Sequence, residues 1–157
     1  MGAKIIIKRT LNADTRTMNG SNASKADIMN DTHEHISAVK LLSNLVCNKI
    51  HEQVAHHDYT KIGEYSDQFV DALNKGSESK EFKDWYEMHV TTERHHLKKH
   101  VPEDVNLIDV IEMLCDCVCA AKARTGKIYD VDIPTDVLVK AVKNTVTMLS
   151  NAVDVED

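Results

Sequence analysis

Residues 55–61 read Ala-His-His-Asp-Tyr-Thr-Lys, and the rest of the chain can be placed around this stretch. His57 stands directly before Asp58, and Lys61 follows three residues later. Imidazole and carboxylate groups are ligands that divalent transition metals accept. A lysine beside such ligands suits a site that receives an anionic substrate. A single His-Asp pair arises by chance in many chains, so the prediction of a metal site rests on the ordered set of ligand-type residues around it. The alternative is a helix end that Asp58 caps.

Most of the other histidines lie downstream of this stretch. Six of the nine fall between His56 and His100. His89 and His96 are seven residues apart, or two helical turns, so they face the same way if the helix is continuous. A bend in the chain near Arg94 would instead direct His95, and not His96, to the side that His89 occupies. The alternative for the adjacent pair is an exposed polar helix end.

One histidine upstream is also a candidate ligand. Apolar residues recur at helical spacing through residues 25–54, and His35 shares a side with Val39 and Leu42. We therefore expect His35 to point inward. Taken alone, such a histidine is more often a core residue bonded to a neighbour than a metal ligand.

A row of carboxylates marks a second informative segment, residues 106–121, which is apolar nearly all round and predicts a central helix. Asp109, Glu112 and Asp116 lie within about 60° of one another on that helix. Buried carboxylates repel one another and resist desolvation. Either this side faces solvent, or cations lie in front of it, and the histidines favour cations.

Composition and charge exclude several classes of protein. The chain has 157 residues and a formal net charge of −6, which argues against a general nucleic-acid binder. No apolar run is long enough for a signal peptide or a membrane span, so we expect a cytoplasmic protein without membrane contact. Of the four cysteines, Cys115 and Cys119 share a helix face, and we expect small buried thiols in a reducing compartment.

These patterns predict an all-α fold, a single-domain bundle of about six helices. We place a polar N-terminal arm at residues 1–25, where Ile5 to Ile7 could add a short strand. The helical domain covers residues 26–153, and residues 154–157 form an acidic tail.

The ordered ligand-type residues resemble the HD-domain superfamily of metal-dependent phosphohydrolases, and within it a branch of small proteins often found in phage genomes. The resemblance covers about residues 33 to 126. It departs where relatives tend to have Asn-x-His-His, because Glu93 and Arg94 precede the pair here. The matching stretches are His35–Val39, His57–Lys61, Phe82–Trp85 with His89, His95–His96, and Ile111–Asp116.

The resemblance implies an HD-type helical bundle around one or two divalent ions of Mn, Fe, Co, Ni or Zn, with Mg binding more weakly. It implies hydrolysis of a phosphate ester, most plausibly a nucleotide, by hydroxide that the metal activates. Lys61 would neutralise phosphoryl oxygens, and Glu112 would orient or deprotonate the water. The implied ligands are His35, His57, Asp58 and Asp116 for a first ion, and His89 with His95 or His96 for a second, with Asp58 bridging.

Two other functions fit the same residues. One is a di-iron oxygenase on the same scaffold, since a histidine-rich ligand set suits iron. The other is a non-catalytic protein that binds a metal or a nucleotide. A phage-encoded member would act in the host cytoplasm, and the sequence is compatible with a homo-oligomer.

Overall fold

The computed structural model describes residues 4–9, 23–128 and 130–156 of the chain. Contacts divide the chain into two compact units. One unit comprises Met1–Asn48 together with Val146–Asp157, and the other comprises Lys49–Thr145. Most of the predicted N-terminal arm lies outside the described residues.

The described residues are mostly helical, as the sequence predicts, with five α-helices where about six were expected. The count is lower because residues between the first and second helices form only two one-turn 3-10 helices, Tyr59–Lys61 and Gly63–Tyr65. None of the described helices combines the length and apolarity that a membrane crossing needs. The elements are β1 (Ile5–Lys8), α1 (Lys25–Val54), α2 (Ser66–Lys75), α3 (Lys80–Thr92), α4 (Leu107–Thr125), α5 (Thr135–Asn151) and β2 (Val153–Glu156).

The first unit contains the small sheet. β1 pairs in parallel with β2, and Ile5 lies opposite Val153 in the register. The Lys4 ammonium is 2.9 Å from the Asp154 carboxylate beside this pair. The strand expected near Ile5 is therefore present, and its partner runs through most of the segment for which an acidic tail was predicted.

His35 lies in the first unit and is exposed. The expectation that it points inward is wrong. α1 has no fully buried residue, and Val39 on the same side is 48% exposed. A helical stripe shows which residues share a side, but it does not show that another element covers that side.

The second unit has its apolar core between α4, the start of α5 and the loop that precedes α4. The segment before α4 is tied to α5 by polar contacts, because Leu107 N–H donates to Thr145 Oγ1 at 2.8 Å and Asn144 Nδ2 donates to Val105 O at 2.8 Å. The fully buried members of this core are Leu97, Val105, Val110, Met113, Val137 and Ala141.

Helix ends in the second unit are capped by a glycine and by polar side chains. Gly76 has a φ of 86° after α2, and Ser79 Oγ then accepts the Phe82 N–H at 3.1 Å to cap α3. Asn106 Oδ1 accepts the Ile108 N–H at 2.9 Å at the start of α4. These caps fix where α3 and α4 begin.

Most of the buried residues of α4 lie in its first half. Ile108, Val110 and Met113 are buried, whereas Cys115 and Cys119 further along the helix are exposed. The prediction of buried thiols is therefore wrong for this pair. A segment that is apolar all round predicts a covered helix, but its far half borders a cavity in this unit.

The most buried carboxylate of α4 is neutralised by the chain itself. Asp109 is fully buried, and it accepts two hydrogen bonds from Arg94, from Nε at 2.7 Å and Nη2 at 2.8 Å. Asn106 N–H and Gln53 Nε2 donate to the same carboxylate, each at 2.8 Å. This ion pair raises the pKa of Arg94. It also fixes the residues just before His95 against α4.

We predict that Arg94→Met lowers the free energy of unfolding by about 2 kcal/mol. Removing one partner of a buried pair leaves a desolvated charge, and the loss falls below the usual ~3–5 kcal/mol because the guanidinium is partly exposed and other donors remain. Urea denaturation followed by circular dichroism measures it. Arg124→Met, at an exposed position of α4, is the control. Equal unfolding midpoints for the two variants would contradict the stabilising role of the Arg94–Asp109 pair.

Candidate metal centre

Asp58 sits in a backbone conformation that few residues adopt. α1 ends at Val54, and Asp58 then has φ 58° and ψ 25°, in the left-handed region. Among the described residues it is the one non-glycine with positive φ. Such a conformation costs roughly 1 kcal/mol or more, and aspartate tolerates it better than most residues. The turn allows His57 and Asp58 to face the same space, which a regular helix would prevent.

Four side chains from three segments converge on that space. Asp58, His89, His95 and His96 each offer one ligand atom, and all four atoms lie within 4.8 Å of one another. Asp58 Oδ1 is 3.6 Å from His89 Nε2 and 3.8 Å from His95 Nε2. His96 Nε2 lies 2.8 Å from His89 Nε2. This buried cluster could hold a metal ion.

The Asp58 carboxylate is only half satisfied. Its Oδ2 accepts a hydrogen bond from Lys61 Nζ at 2.6 Å. Its Oδ1 is buried and has no hydrogen-bond partner. Leaving a buried charged acceptor unpaired is costly, so this atom calls for a cation or a donor. It is also the atom that faces the imidazoles of His89 and His95.

A relay of hydrogen bonds orients His89. Its Nδ1–H donates to Thr60 Oγ1 at 2.6 Å, and the Thr60 hydroxyl donates to Glu93 Oε1 at 2.7 Å. The Thr60 N–H donates to the same oxygen at 3.0 Å. The indole of Trp85 stacks on the imidazole with ring centroids 5.0 Å apart. Since Nδ1 carries the proton, the Nε2 lone pair faces the cluster, as a metal ligand requires.

Burial keeps two of these imidazoles neutral. It lowers the pKa of His89 to about 4, with further lowering by Lys61 and His96. It lowers the pKa of His96 to about 4 as well, with further lowering by His95. Burial also lowers the pKa of His95, but Glu112, Asp116 and Asp58 outweigh it and the pKa is raised. Neutral imidazole is the form that binds metals.

Glu112 contacts two histidines and a glutamine beside the first cluster. Its Oε1 accepts a hydrogen bond from His57 Nδ1 at 2.9 Å and lies 3.4 Å from His95 Nδ1, while Oε2 accepts from Gln53 Nε2 at 2.6 Å. Burial opposes ionisation, but His95, Gln53 and His57 lower the pKa of Glu112 to about 2. His57, His95 and Glu112 are a second group that could hold a metal ion. The contacts between them are equally those of a hydrogen-bonded network.

Asp116 approaches the other side of His57. His57 Nε2 lies 3.6 Å from Asp116 Oδ1 and 3.7 Å from Asp58 Oδ2. With Nδ1 bonded to Glu112, this Nε2 keeps its lone pair and points between two carboxylates. His57 therefore lies beside the first cluster, with Nε2 directed toward Asp58 and Asp116.

The structure brings together nearly all of the predicted site residues. His57, Asp58, Lys61, His89, His95, His96, Glu112 and Asp116 form one connected set in the second unit. Both His95 and His96 reach it, because α3 ends at Thr92 and the chain turns before the pair. His35 belongs to the first unit and to neither of the metal-capable groups found among the described residues.

Sequence reasoning missed four residues that support the site. Gln53 and Thr60 carry no recognisable motif, and only the structure reveals their roles. Glu93 and Arg94 carried a signal, because they are the positions where the chain departs from the HD-like pattern. The departure is where Glu93 bonds to Thr60 and Arg94 bonds to Asp109.

Comparison with known families matches residues 24–152 to the model described as "Family of unknown function (DUF5662)". The chain belongs to this family. The match spans the helices that build the cluster, and the family description assigns no activity to it. No curated protein and no solved structure gives a significant match. The resemblance to HD-domain phosphohydrolases therefore stays a prediction.

We predict that His96→Ala abolishes binding of Mn²⁺ or Zn²⁺ at micromolar concentrations, because it removes one of four convergent ligands. Isothermal titration calorimetry of the purified protein measures this. His100→Ala is the matched control, since His100 lies four residues on and is exposed. Equal affinity in the two variants would show that the cluster is not a metal site.

We also predict that Thr60→Val lowers metal affinity by about 10- to 100-fold, as loss of an outer-shell partner typically does. The valine keeps the side-chain volume but cannot accept the His89 Nδ1–H. Thr91→Val on the exposed side of α3 is the control. If both variants bind Mn²⁺ as the unaltered protein does, the relay does not orient His89.

Proposed function

We propose that this protein is a metal-dependent phosphohydrolase that cleaves a phosphate ester. One observation carries the proposal: the buried Asp58 Oδ1 has no hydrogen-bond partner and faces imidazole nitrogens of the cluster. The donor set of three imidazoles and a carboxylate suits a transition-metal ion. The nucleotide expected from the sequence is one member of this substrate class.

The metal's contribution, when bound, is to polarise a phosphoryl oxygen and to lower the pKa of water. The chain would bind the ion through Asp58 Oδ1 and the Nε2 atoms of His89, His95 and His96. His57 Nε2 and Asp116 would complete a second, more open position beside it. Asp58 spans both positions, since Oδ1 faces His89 and Oδ2 faces His57.

We give Lys61 the role of binding the substrate's negative charge. Its ammonium lies 2.6 Å from Asp58 Oδ2, at the edge of the cluster, and its side chain is partly exposed. A cation fixed at this edge would stabilise the charge on equatorial phosphoryl oxygens during transfer.

Glu112 is better suited to hold histidines than to take a proton. Its oxygens accept from His57 and Gln53, and its pKa of about 2 makes it a weak base near neutral pH. Asp116 is the more accessible carboxylate beside His57, with 31% of its side chain exposed. We therefore give Asp116 the role of orienting the attacking water, and Glu112 the role of fixing His57 and His95.

The ligand count also favours a second candidate, a non-catalytic metal-binding protein. Four protein ligands around one point is the arrangement of a closed structural site, which leaves no position for a substrate. Removing the metal separates the two functions. If the metal is structural, chelation lowers the folding stability of the protein, and no phosphate release is seen with or without metal. If the protein is a hydrolase, chelation stops phosphate release, and addition of Mn²⁺ or Co²⁺ restores it.

We predict that Asp58→Asn folds normally but loses metal binding and at least 100-fold in phosphate release. Asparagine tolerates the left-handed backbone as aspartate does, so the change removes the charge without adding strain. Metal analysis and a phosphate-release screen over aryl, sugar and nucleoside phosphates with Mn²⁺, Co²⁺ and Mg²⁺ measure both effects.

Asp67→Asn, at an exposed position of α2, serves as the control and should retain full activity. Turnover by the Asp58→Asn variant at the unaltered rate would overturn the proposed role of the cluster. Absence of turnover in the unaltered, metal-loaded protein across the whole screen would favour the non-catalytic candidate.

A further inference from the structure

A cavity of about 170 Å³ adjoins the metal-ligand cluster on the side of Asp116. It lies between the end of α1 and the exposed face of α4, within the second unit. The residues that line it are Val54, His57, Glu112, Cys115, Asp116 and Cys119.

The cavity has a charged floor and apolar walls. Glu112 contributes little polarity, since one oxygen accepts from His57 and the other from Gln53. The polar atoms left at the floor are His57 Nε2 and the Asp116 carboxylate, which belong to the candidate metal centre. Val54, Cys115 and Cys119 form the walls, and a thiol behaves as a small apolar group with a weak donor. With a metal ion bound beside His57 Nε2 and Asp116, a ligand that fills this space would direct an anionic end toward the ion and an apolar end between the walls.

Size and hydrogen bonding limit the apolar end. A cavity of about 150 Å³ lined by apolar side chains holds one benzene molecule in a well-studied engineered case. Each polar group of a ligand that enters without a partner costs about 1–3 kcal/mol. Ribose hydroxyls and the edges of a nucleobase would meet weakly polar thiols and a valine here. The walls therefore disfavour a nucleoside and favour a hydrocarbon group the size of one ring.

We propose that the cavity binds the organic group of a phosphate monoester whose alcohol part is apolar, a single aromatic ring or an alkyl group of similar size. The inference rests on the proposed hydrolase function for the phosphate end. It adds the substrate class, which the metal ligands leave open. It also favours an aryl or alkyl phosphate over the nucleotide expected from the sequence.

Two thiols in the lining allow occupancy of the cavity to be measured by their rate of alkylation. Cys115 and Cys119 are exposed, free and part of its walls, whereas Cys47 is exposed and free in the first unit. A neutral probe, benzyl alcohol, should slow the alkylation of Cys119 by iodoacetamide at least threefold and leave Cys47 unaffected. Mass spectrometry of the alkylated protein reads all the sites at once, and this arm requires no metal.

The second arm compares two phosphonates that cannot be hydrolysed, in protein loaded with Mn²⁺. Phenylphosphonate should bind about tenfold more tightly than methylphosphonate, because burying the ring removes apolar surface from water. Cys119→Phe should fill the cavity and abolish this difference. Val118→Phe adds the same ring to a neighbouring exposed position outside the cavity and should leave the difference intact. Calorimetry measures the affinities, and thermal melts verify that both variants fold.

The outcomes separate this inference from the hydrolase proposal. Equal affinity for the two phosphonates, or a ring preference that survives Cys119→Phe, overturns the apolar cavity even if the protein releases phosphate. Protection of Cys119 by benzyl alcohol together with no binding of either phosphonate supports the cavity and overturns the phosphohydrolase. If saturating benzyl alcohol leaves the alkylation rate of Cys119 unchanged, the cavity does not bind an apolar group and the inference is wrong.

Discussion

The candidate site depends on one constraint: of the three carboxylates on one face of α4, Asp109 and Glu112 are buried, and a buried charge must be compensated. Asp109 is compensated by the Arg94 guanidinium and Glu112 by imidazoles and an amide. Asp116 is partly exposed and lies 3.6 Å from His57 Nε2. Compensation by the chain's own groups therefore decreases along the helix toward Asp116, which belongs to the more open of the two proposed metal positions.

The same constraint explains why other side chains hold the imidazoles in fixed orientations. His89 is fixed by Thr60 and Glu93, and His57 by Glu112, so each imidazole directs one chosen nitrogen inward. Fixed outer partners reduce the reorganisation needed when a cation binds. Among the described residues, the buried side-chain atoms without a hydrogen-bond partner are Asp58 Oδ1 and His95 Nδ1, and both belong to this network.

Local rules predicted the helices, and the bounds of α1 follow from the spacing of its apolar residues. The grouping of His57, Asp58, His89 and Asp116 was implied by the resemblance to HD-domain proteins and not by spacing alone. The exposure of His35 and of Cys115 could not be predicted, because the covering of a helix face depends on other elements. The role of Arg94 was missed for a similar reason, since its partner Asp109 is fifteen residues away.

The left-handed turn at Asp58 has a consequence for how this position can vary among related chains. The backbone there admits glycine, asparagine and aspartate readily, and most other side chains only with strain. Of these three, aspartate alone brings a negative charge. Two independent filters, conformation and coordination, thus select the same amino acid.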